Sequence, residues 1–164
     1  MQAATLGATH MDFATKDLVL AIIHHLLVFS LAGIVAYEIA AVRSDMTPAQ
    51  IRRVGRVDLW YGILAAAILA VGFVRANFAG KGWEYYSTNH FFWAKIGTFA
   101  LVGLLSIYPT IMIIRWRRNA DGFASSPTRI AQVSRVRRFL WLEAVGLGFI
   151  VAFAAAMARG YGSL

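Results

Sequence analysis

Three histidines and one lysine are the residues of this chain whose chemistry is most specific. His24 and His25 are adjacent in the apolar run "AIIHHLLVFSLAG" (21–33), and His90 stands five residues before Lys95 in another apolar run. Neutral imidazole is a strong ligand for iron and other transition metals, and an ammonium group pairs with carboxylates. These side chains are costly in an apolar environment, so their presence there needs a functional or structural reason.

The apolar environment is predicted to be a membrane. The chain has 164 residues, of which 59% are hydrophobic and 15% are charged, whereas soluble proteins carry about 25% charged residues. Four apolar stretches reach the roughly 17–25 residues that a spanning helix needs: 18–41, 60–78, 91–114 and 139–158. Because lipid cannot hydrogen-bond to the backbone, each span is predicted to be helical. We therefore predict an all-α, integral membrane four-helix bundle that forms a single domain over 1–164.

The basic residues indicate how this bundle is oriented. The formal net charge is +8, and most arginines lie in or beside the first and third loops. These are Arg43, Arg52, Arg53, Arg56, Arg115, Arg117, Arg118, Arg129, Arg135, Arg137 and Arg138. The asymmetry predicts cytoplasmic first and third loops, with both termini outside a bacterial inner membrane. It favours a lipid partner over nucleic acid, and the absence of cysteine excludes disulfides and thiolate metal sites.

The two basic loops contain similar segments, "TPAQIRRVGRV" (47–57) and "SPTRIAQVSRV" (126–136). In each, a hydroxyl residue followed by proline predicts a helix start, with Thr47 or Ser126 as the N-cap. Gln50 completes a capping box with Thr47, whereas Arg129 has no carbonyl group to do so. The shared register indicates either a duplicated two-span unit or convergence on the same capping rules.

Two spans carry small residues at every fourth position. Gly62, Ala66 and Ala70 form one series, and the other consists of Ala144, Gly148, Ala152, Ala156 and Gly160. Such series allow close helix packing in lipid, and we expect them to pack inside the bundle. The alternative is a surface for a flat cofactor or for a second copy of the chain, which would make a homodimer.

Carboxyl groups mark the cytoplasmic level. Glu38 closes the first span and Glu143 opens the fourth, with Asp58 and Arg56 nearby. Ion pairs between these glutamates and the arginine-rich loops are the favoured interpretation, and proton transfer is the alternative. His24, Leu31 and Glu38 are seven residues apart and so share nearly one helix face.

The periplasmic level carries the groups that a b-type haem needs. The candidate ligands of the iron are His24, His25 and His90, with Met157 as a further axial candidate, and the candidate partners of the propionates are Arg75, Lys81, Lys95 and Arg159. Adjacent helical residues point about 100° apart, so one haem would use either His24 or His25. His25 shares its face with Ala32 and Ala36, which suits a flat ring. The second ligand would be His90 or Met157.

Several motifs along the chain resemble an uncharacterised family of short, four-span bacterial inner-membrane proteins. They are "HH…YE" (24–38), "RVDLWYG" (56–62), "GFVRA" (72–76), "KGWEYYSTN" (81–89), "FFWAK" (91–95), "LSIYPT" (105–110) and "MARG" (157–160). A more distant similarity, carried by the first-span histidine, "FSLAG", Tyr37 and "WAK", is to HemJ-type protoporphyrinogen oxidases and CopD-like membrane proteins. The HemJ resemblance implies haem b, with functional roles for His24 or His25 and for Lys95.

Together these features predict a haem-binding membrane protein that transfers electrons near the periplasmic side. One alternative is a haem-dependent oxidoreductase that acts on a porphyrinogen or a quinol, so that porphyrin and quinone are candidate substrates. The other alternative is a cofactor-free membrane protein that binds a small solute or copper.

Overall fold

The computed structural model describes residues 2–78 and 82–162, and six helices account for most of them. The helices are α1 (Gln2–Ala41), α2 (Pro48–Phe78), α3 (Gly82–Ser87), α4 (His90–Arg118), α5 (Ala120–Ala124) and α6 (Arg129–Ala158). Four segments are long and apolar enough to cross a membrane: Thr15–Ala41, Pro48–Asn77, His90–Arg118 and Arg129–Ala158. The prediction of an all-α bundle with four membrane-length helices is confirmed.

The start of α2 follows the predicted capping box. The Thr47 backbone N–H donates to Gln50 Oε1 at 2.7 Å, and the Gln50 N–H donates to Thr47 Oγ1 at 3.3 Å. These two bonds satisfy backbone donors that have no partner within the first turn. The helix therefore begins at Pro48, well before the apolar stretch that starts at residue 60.

The prediction that Ser126 is the N-cap of the last long helix was wrong. Ser126 and Pro127 lie in a turn, and α6 begins at Arg129 with Thr128 as its N-cap residue and no side-chain capping bond. The Ser126 and Thr128 hydroxyl oxygens are 3.0 Å apart, so Ser126 does not cap the helix. Arg129 instead donates to the Ala124 and Met46 carbonyls, both at 2.6 Å. Through these bonds Arg129 connects the end of α5 to the loop between α1 and α2.

The helices pack as two extensive pairs, α1 with α2 and α4 with α6, and α2 meets α4 less extensively. We call the end of the bundle that contains α5 and the starts of α2 and α6 the arginine end. The opposite end, which contains α3 and the start of α4, is the histidine end. The main core lies at the arginine end and includes Val42, Ile51, Ile113, Val136 and Leu140. A second core, Leu31, Val35, Tyr61 and Ile68, lies nearer the middle.

Close helix contacts use other small residues than the two series predicted from the sequence. A Cβ on Gly55 would lie 2.7 Å from Arg117 Cδ, and one on Gly146 would overlap the Val102 side chain. By contrast, Gly62 and Gly148 have nothing within 4 Å of an added Cβ, and Ala152 is exposed on the bundle surface. The prediction that both series pack inside the bundle was therefore wrong: most of their members are exposed, although Ala144 packs against the second core.

The contact between Gly146 and Val102 predicts that Gly146→Ala lowers the stability of the bundle. Val102 is buried and β-branched, so its methyl group has little freedom to move away. Overpacking costs about 1–3 kcal/mol, which exceeds the helix-propensity gain of up to about 1 kcal/mol. Thermal unfolding in detergent, followed by circular dichroism, measures the difference. Gly148→Ala is the matched control, and we expect it to be neutral or stabilising. Restored stability in Gly146→Ala/Val102→Ala would locate the effect at this contact, whereas equal stability of the two single variants would contradict it.

The orientation prediction can be tested with single cysteines, because the chain has none of its own. Ser44 is exposed at the arginine end and Glu84 is exposed at the histidine end. If the arginine end is cytoplasmic, a membrane-impermeant maleimide labels Glu84→Cys in intact cells. Ser44→Cys is then labelled only after the membrane is opened. The reverse pattern would show that the distribution of positive charge does not orient this protein.

Candidate functional site

Three nitrogen-bearing side chains from three helices meet near the histidine end, and we call them the histidine cluster. They are His24 on α1, Arg75 on α2 and Lys95 on α4, and His24 interacts electrostatically with both cations. The His24 ring lies beside Gly72 of α2, where an added Cβ would be 3.5 Å from the ring carbon Cε1. The absence of a side chain at Gly72 therefore leaves room for the imidazole between two helices.

The histidine cluster contains more hydrogen-bond donors than acceptors. Arg75 Nη2 pairs with Asp17 Oδ1 at 3.4 Å, and Lys95 Nζ lies 5.3 Å from the centre of the Phe92 ring. His24 Nδ1 and Arg75 Nε are both buried, and neither has a hydrogen-bond partner within the described residues. Buried polar atoms normally have a hydrogen-bond partner. These two nitrogens therefore indicate a place for a hydrogen-bond acceptor or for a metal that binds nitrogen.

His25 lies outside the histidine cluster, on the exposed side of α1. Its Nδ1 is 2.6 Å from the Ala21 carbonyl oxygen of its own helix, and its ring is exposed. The His24 and His25 rings are nearly perpendicular, with centres 6.2 Å apart. Ala32 and Ala36, which share the face of His25, are also exposed, whereas Leu31 on the His24 face is buried. The seven-residue spacing of His24, Leu31 and Glu38 placed them on one helix face, but it did not show that this face is the enclosed one.

The other predicted site residues lie at the histidine end but outside this cluster. His90 is the first residue of α4, and its ring Nδ1 is 3.4 Å from the Gly162 carbonyl oxygen. Met157 is half-buried near the end of α6, and Arg159 follows it as an exposed C-cap residue. Within the described residues, the groups that interact electrostatically with His24 are Arg75, Lys95 and His25. Lys81 lies outside the described residues.

A second buried polar group, which we call the carboxyl cluster, lies nearer the arginine end. It comprises Glu38 on α1, Asp58 and Tyr61 on α2, and Glu143 on α6, with exposed fractions of 1%, 5%, 6% and 1%. Glu38 interacts electrostatically with both Asp58 and Glu143, so the three carboxyl groups share one region of the interior. Sequence reasoning found the acids but missed Tyr61, although its i,i+3 spacing from Asp58 places both on one face of α2.

Hydroxyl groups connect the carboxyl cluster to α4. Thr110 Oγ1 donates to Asp58 Oδ1 at 2.9 Å. The Tyr61 hydroxyl interacts with both Ser106 and the Glu143 carboxyl group. All four long helices therefore contribute side chains to this cluster.

The prediction that Glu38 and Glu143 form ion pairs with the arginine-rich loops was wrong. The ion pairs among the described side chains include Arg43–Asp45, Arg52–Asp121 and Arg75–Asp17, and neither glutamate belongs to one. The arginines bind backbone instead. Arg137 Nη1 donates to the Ile39 and Val42 carbonyls at 2.7 and 2.8 Å, and Arg117 Nη1 donates to Gly55 at 3.1 Å. The last carbonyls of α1 have no partner within the helix, and Arg137 donates to them. Because these arginines bind backbone, Glu38 and Glu143 remain without an ion-pair partner in the interior.

A groove of about 380 Å³ opens between α2 and α4 beside the carboxyl cluster. Its walls are mainly apolar, and its polar lining consists of Asp58, Tyr61, Ser106, Thr110 and Arg117. Gly62 and Gly103 also line it, which explains why the two helices leave space there. The described part of the chain has no group of three or more His, Asp or Glu residues arranged to hold a metal ion.

Comparison with known proteins identifies the family. Residues 16–162 match the family described as "Predicted membrane protein (DUF2214)", a domain of unknown function, and this match includes all four spans. No curated protein and no solved structure matches the chain. The predicted membership of an uncharacterised four-span family is confirmed, and the similarity to HemJ-type and CopD-like proteins stays a prediction. With nearly its whole length covered by that match, the chain belongs to the DUF2214 family of membrane proteins.

Proposed function

We propose that this membrane protein binds a b-type haem at the histidine cluster and functions in electron transfer. The proposal rests on one observation: His24 Nδ1 and Arg75 Nε are buried without partners, next to Lys95, where three membrane helices meet. An imidazole can coordinate a haem iron, and two cations at the same level could pair with its propionates. When bound, the haem would supply a one-electron redox couple.

Each residue has a distinct part in this proposal. His24 would coordinate the iron, because its ring is turned into the bundle and packs against Gly72 of α2. Asp17 orients Arg75 through their 3.4 Å ion pair, so that the guanidinium can bind a propionate. Lys95, whose Nζ lies near the Phe92 ring, would bind the other propionate. His90 and Met157 remain candidates for a second axial ligand, and Arg159 for a further cation.

The absorption spectrum of the purified protein tests this proposal, with His25→Ala as a matched control for His24→Ala. We expect the wild-type protein in detergent to show a Soret band and, after reduction, sharp α and β bands. His24→Ala should lose these bands, whereas His25→Ala should keep them because His25 is exposed and bonded to its own helix. The iron content of each preparation should follow the Soret intensity.

Two outcomes would contradict the haem proposal. One is a wild-type preparation that contains no iron and stays colourless after haem is added, which would favour the cofactor-free alternative. The other is loss of the bands in His25→Ala but not in His24→Ala. If haem is bound, turnover assays with protoporphyrinogen and with a quinol distinguish an oxidoreductase from an electron carrier.

We also propose a homodimer through the small-residue face of α6. Gly148 has nothing within 4 Å of an added Cβ and Ala152 is exposed, so a second helix could approach closely there. Ala152→Leu should lower the mass of the protein in detergent, as measured by light scattering. Ala100→Leu, at an exposed position of α4, is the control that should leave the mass unchanged. A dimer that persists in Ala152→Leu would contradict this contact.

A further inference from the structure

The carboxyl cluster places three acids in the membrane interior with little compensating positive charge. Ionised carboxylates are costly in hydrocarbon, and neighbouring ones repel each other. The charged group of α4 that faces the cluster is Arg117, which interacts electrostatically with Asp58 and also donates to the Gly55 carbonyl. On α6, Arg137 is bound to two backbone carbonyls of the α1 end. The cluster is therefore most stable when bound protons reduce its negative charge.

In two of the three acids, one carboxyl oxygen also lacks a hydrogen-bond partner. Glu38 Oε1 and Glu143 Oε1 are buried without a partner within the described residues, and each side chain is 1% exposed. A carboxylate only accepts hydrogen bonds, whereas a protonated carboxylic acid also donates one. A proton on either glutamate would thus provide a donor to a neighbouring carboxyl oxygen. Asp58 differs from the two glutamates, because Thr110 already donates to it.

The groove between α2 and α4 offers a route from this cluster to water. A water molecule needs roughly 10–15 Å³ of accessible space and two to four polar partners. The groove volume of about 380 Å³ exceeds that requirement, and Asp58, Tyr61, Ser106 and Thr110 provide polar partners along it. Arg117 lines the groove near the end of α4, so the route leads toward the arginine end.

We propose that Glu38, Asp58 and Glu143 form a proton-binding site that exchanges with water at the arginine end through the α2–α4 groove. A proton from water enters at Asp58, which lines the groove, and is shared with Glu38 and Glu143 behind it. Tyr61 is a positioning residue, since its hydroxyl interacts with both Ser106 and Glu143. The exchange moves only protons between oxygen atoms and requires no electron donor or acceptor. It is independent of the proposed haem.

Infrared spectroscopy of the full chain in lipid vesicles tests whether the cluster holds a proton. We expect a C=O stretching band from a protonated carboxylic acid at neutral pH, which shifts in D₂O. Glu38→Gln and Glu143→Gln should each reduce this band, and the double variant should lose most of it. Glu84→Gln is the matched control, because Glu84 is exposed outside the spans. Tyr61→Phe should keep the band but change its frequency, because the interaction of the Tyr61 hydroxyl with the Glu143 carboxyl group is removed.

The route is tested by the rate at which the band shifts after transfer to D₂O. Gly103 lines the groove and Gly97 does not, and both lie on α4 with nothing within 4 Å of an added Cβ. Gly103→Leu should slow the shift, whereas Gly97→Leu should leave its rate unchanged. Circular dichroism confirms that each variant is folded.

Three results would overturn the proposal. The first is equal band intensity in wild type, Glu38→Gln, Glu143→Gln and Glu84→Gln. The second is a band that responds to added sodium ions at constant pH, which would make the cluster a metal cation site. The third is the same rate of shift in Gly103→Leu and Gly97→Leu, which would exclude the groove as the route. None of these results depends on the colour of the preparation, so failure of the haem proposal is distinguishable from failure of this one.

Discussion

Hydrocarbon cannot hydrogen-bond to a polar group, so a polar group within a membrane span must find its partners inside the protein. This constraint explains why so few interior positions of the four spans are polar and why those few converge. His24, Arg75 and Lys95 come together from three helices, and the carboxyl cluster draws side chains from all four long helices. Between the two groups lies the apolar core of Leu31, Val35 and Ile68.

The arginine end satisfies the same constraint through backbone carbonyls. Arg137 binds the end of α1, Arg129 bridges Ala124 and Met46, and Arg117 reaches Gly55. These bonds connect elements that are distant in sequence. The arginines therefore stabilise the bundle, in addition to being the residues from which its membrane orientation is predicted. Because they are engaged with backbone, they leave Glu38 and Glu143 without ion pairs. The unpaired state of the two glutamates is thus a consequence of how the helix ends are capped.

The two polar clusters have opposite character. The histidine cluster has buried nitrogens without acceptors, and the carboxyl cluster has buried oxygens without donors. Each arrangement indicates a missing partner of the other kind: a nitrogen-coordinating or acidic group at the histidine end, and protons at the carboxyl cluster. The proposed cofactor at one end and the proposed proton site at the other would fit a protein that handles electrons or acidic solutes in a membrane.

The sequence by itself determined the class of fold, because span length, hydropathy and capping are local properties. The four spans and the Thr47–Gln50 capping box were predictable from residues that are neighbours along the chain. The same reasoning failed at Ser126, because Arg129 finds its partners in Ala124 and in Met46, the latter from a different loop. It also failed for the small-residue series, since spacing gives a helix face but not the neighbour that the face meets.

Only the tertiary structure decided between His24 and His25, and only it removed the ion pairs expected at Glu38 and Glu143. Adjacent residues on a helix have the same local sequence context, so their environments differ only through the packing of other helices. His24 is enclosed because α2 and α4 approach that side of α1, and His25 is exposed because no described helix covers the other side. Composition and spacing specified which groups enter the membrane, and the packing of distant segments specified which of them meet.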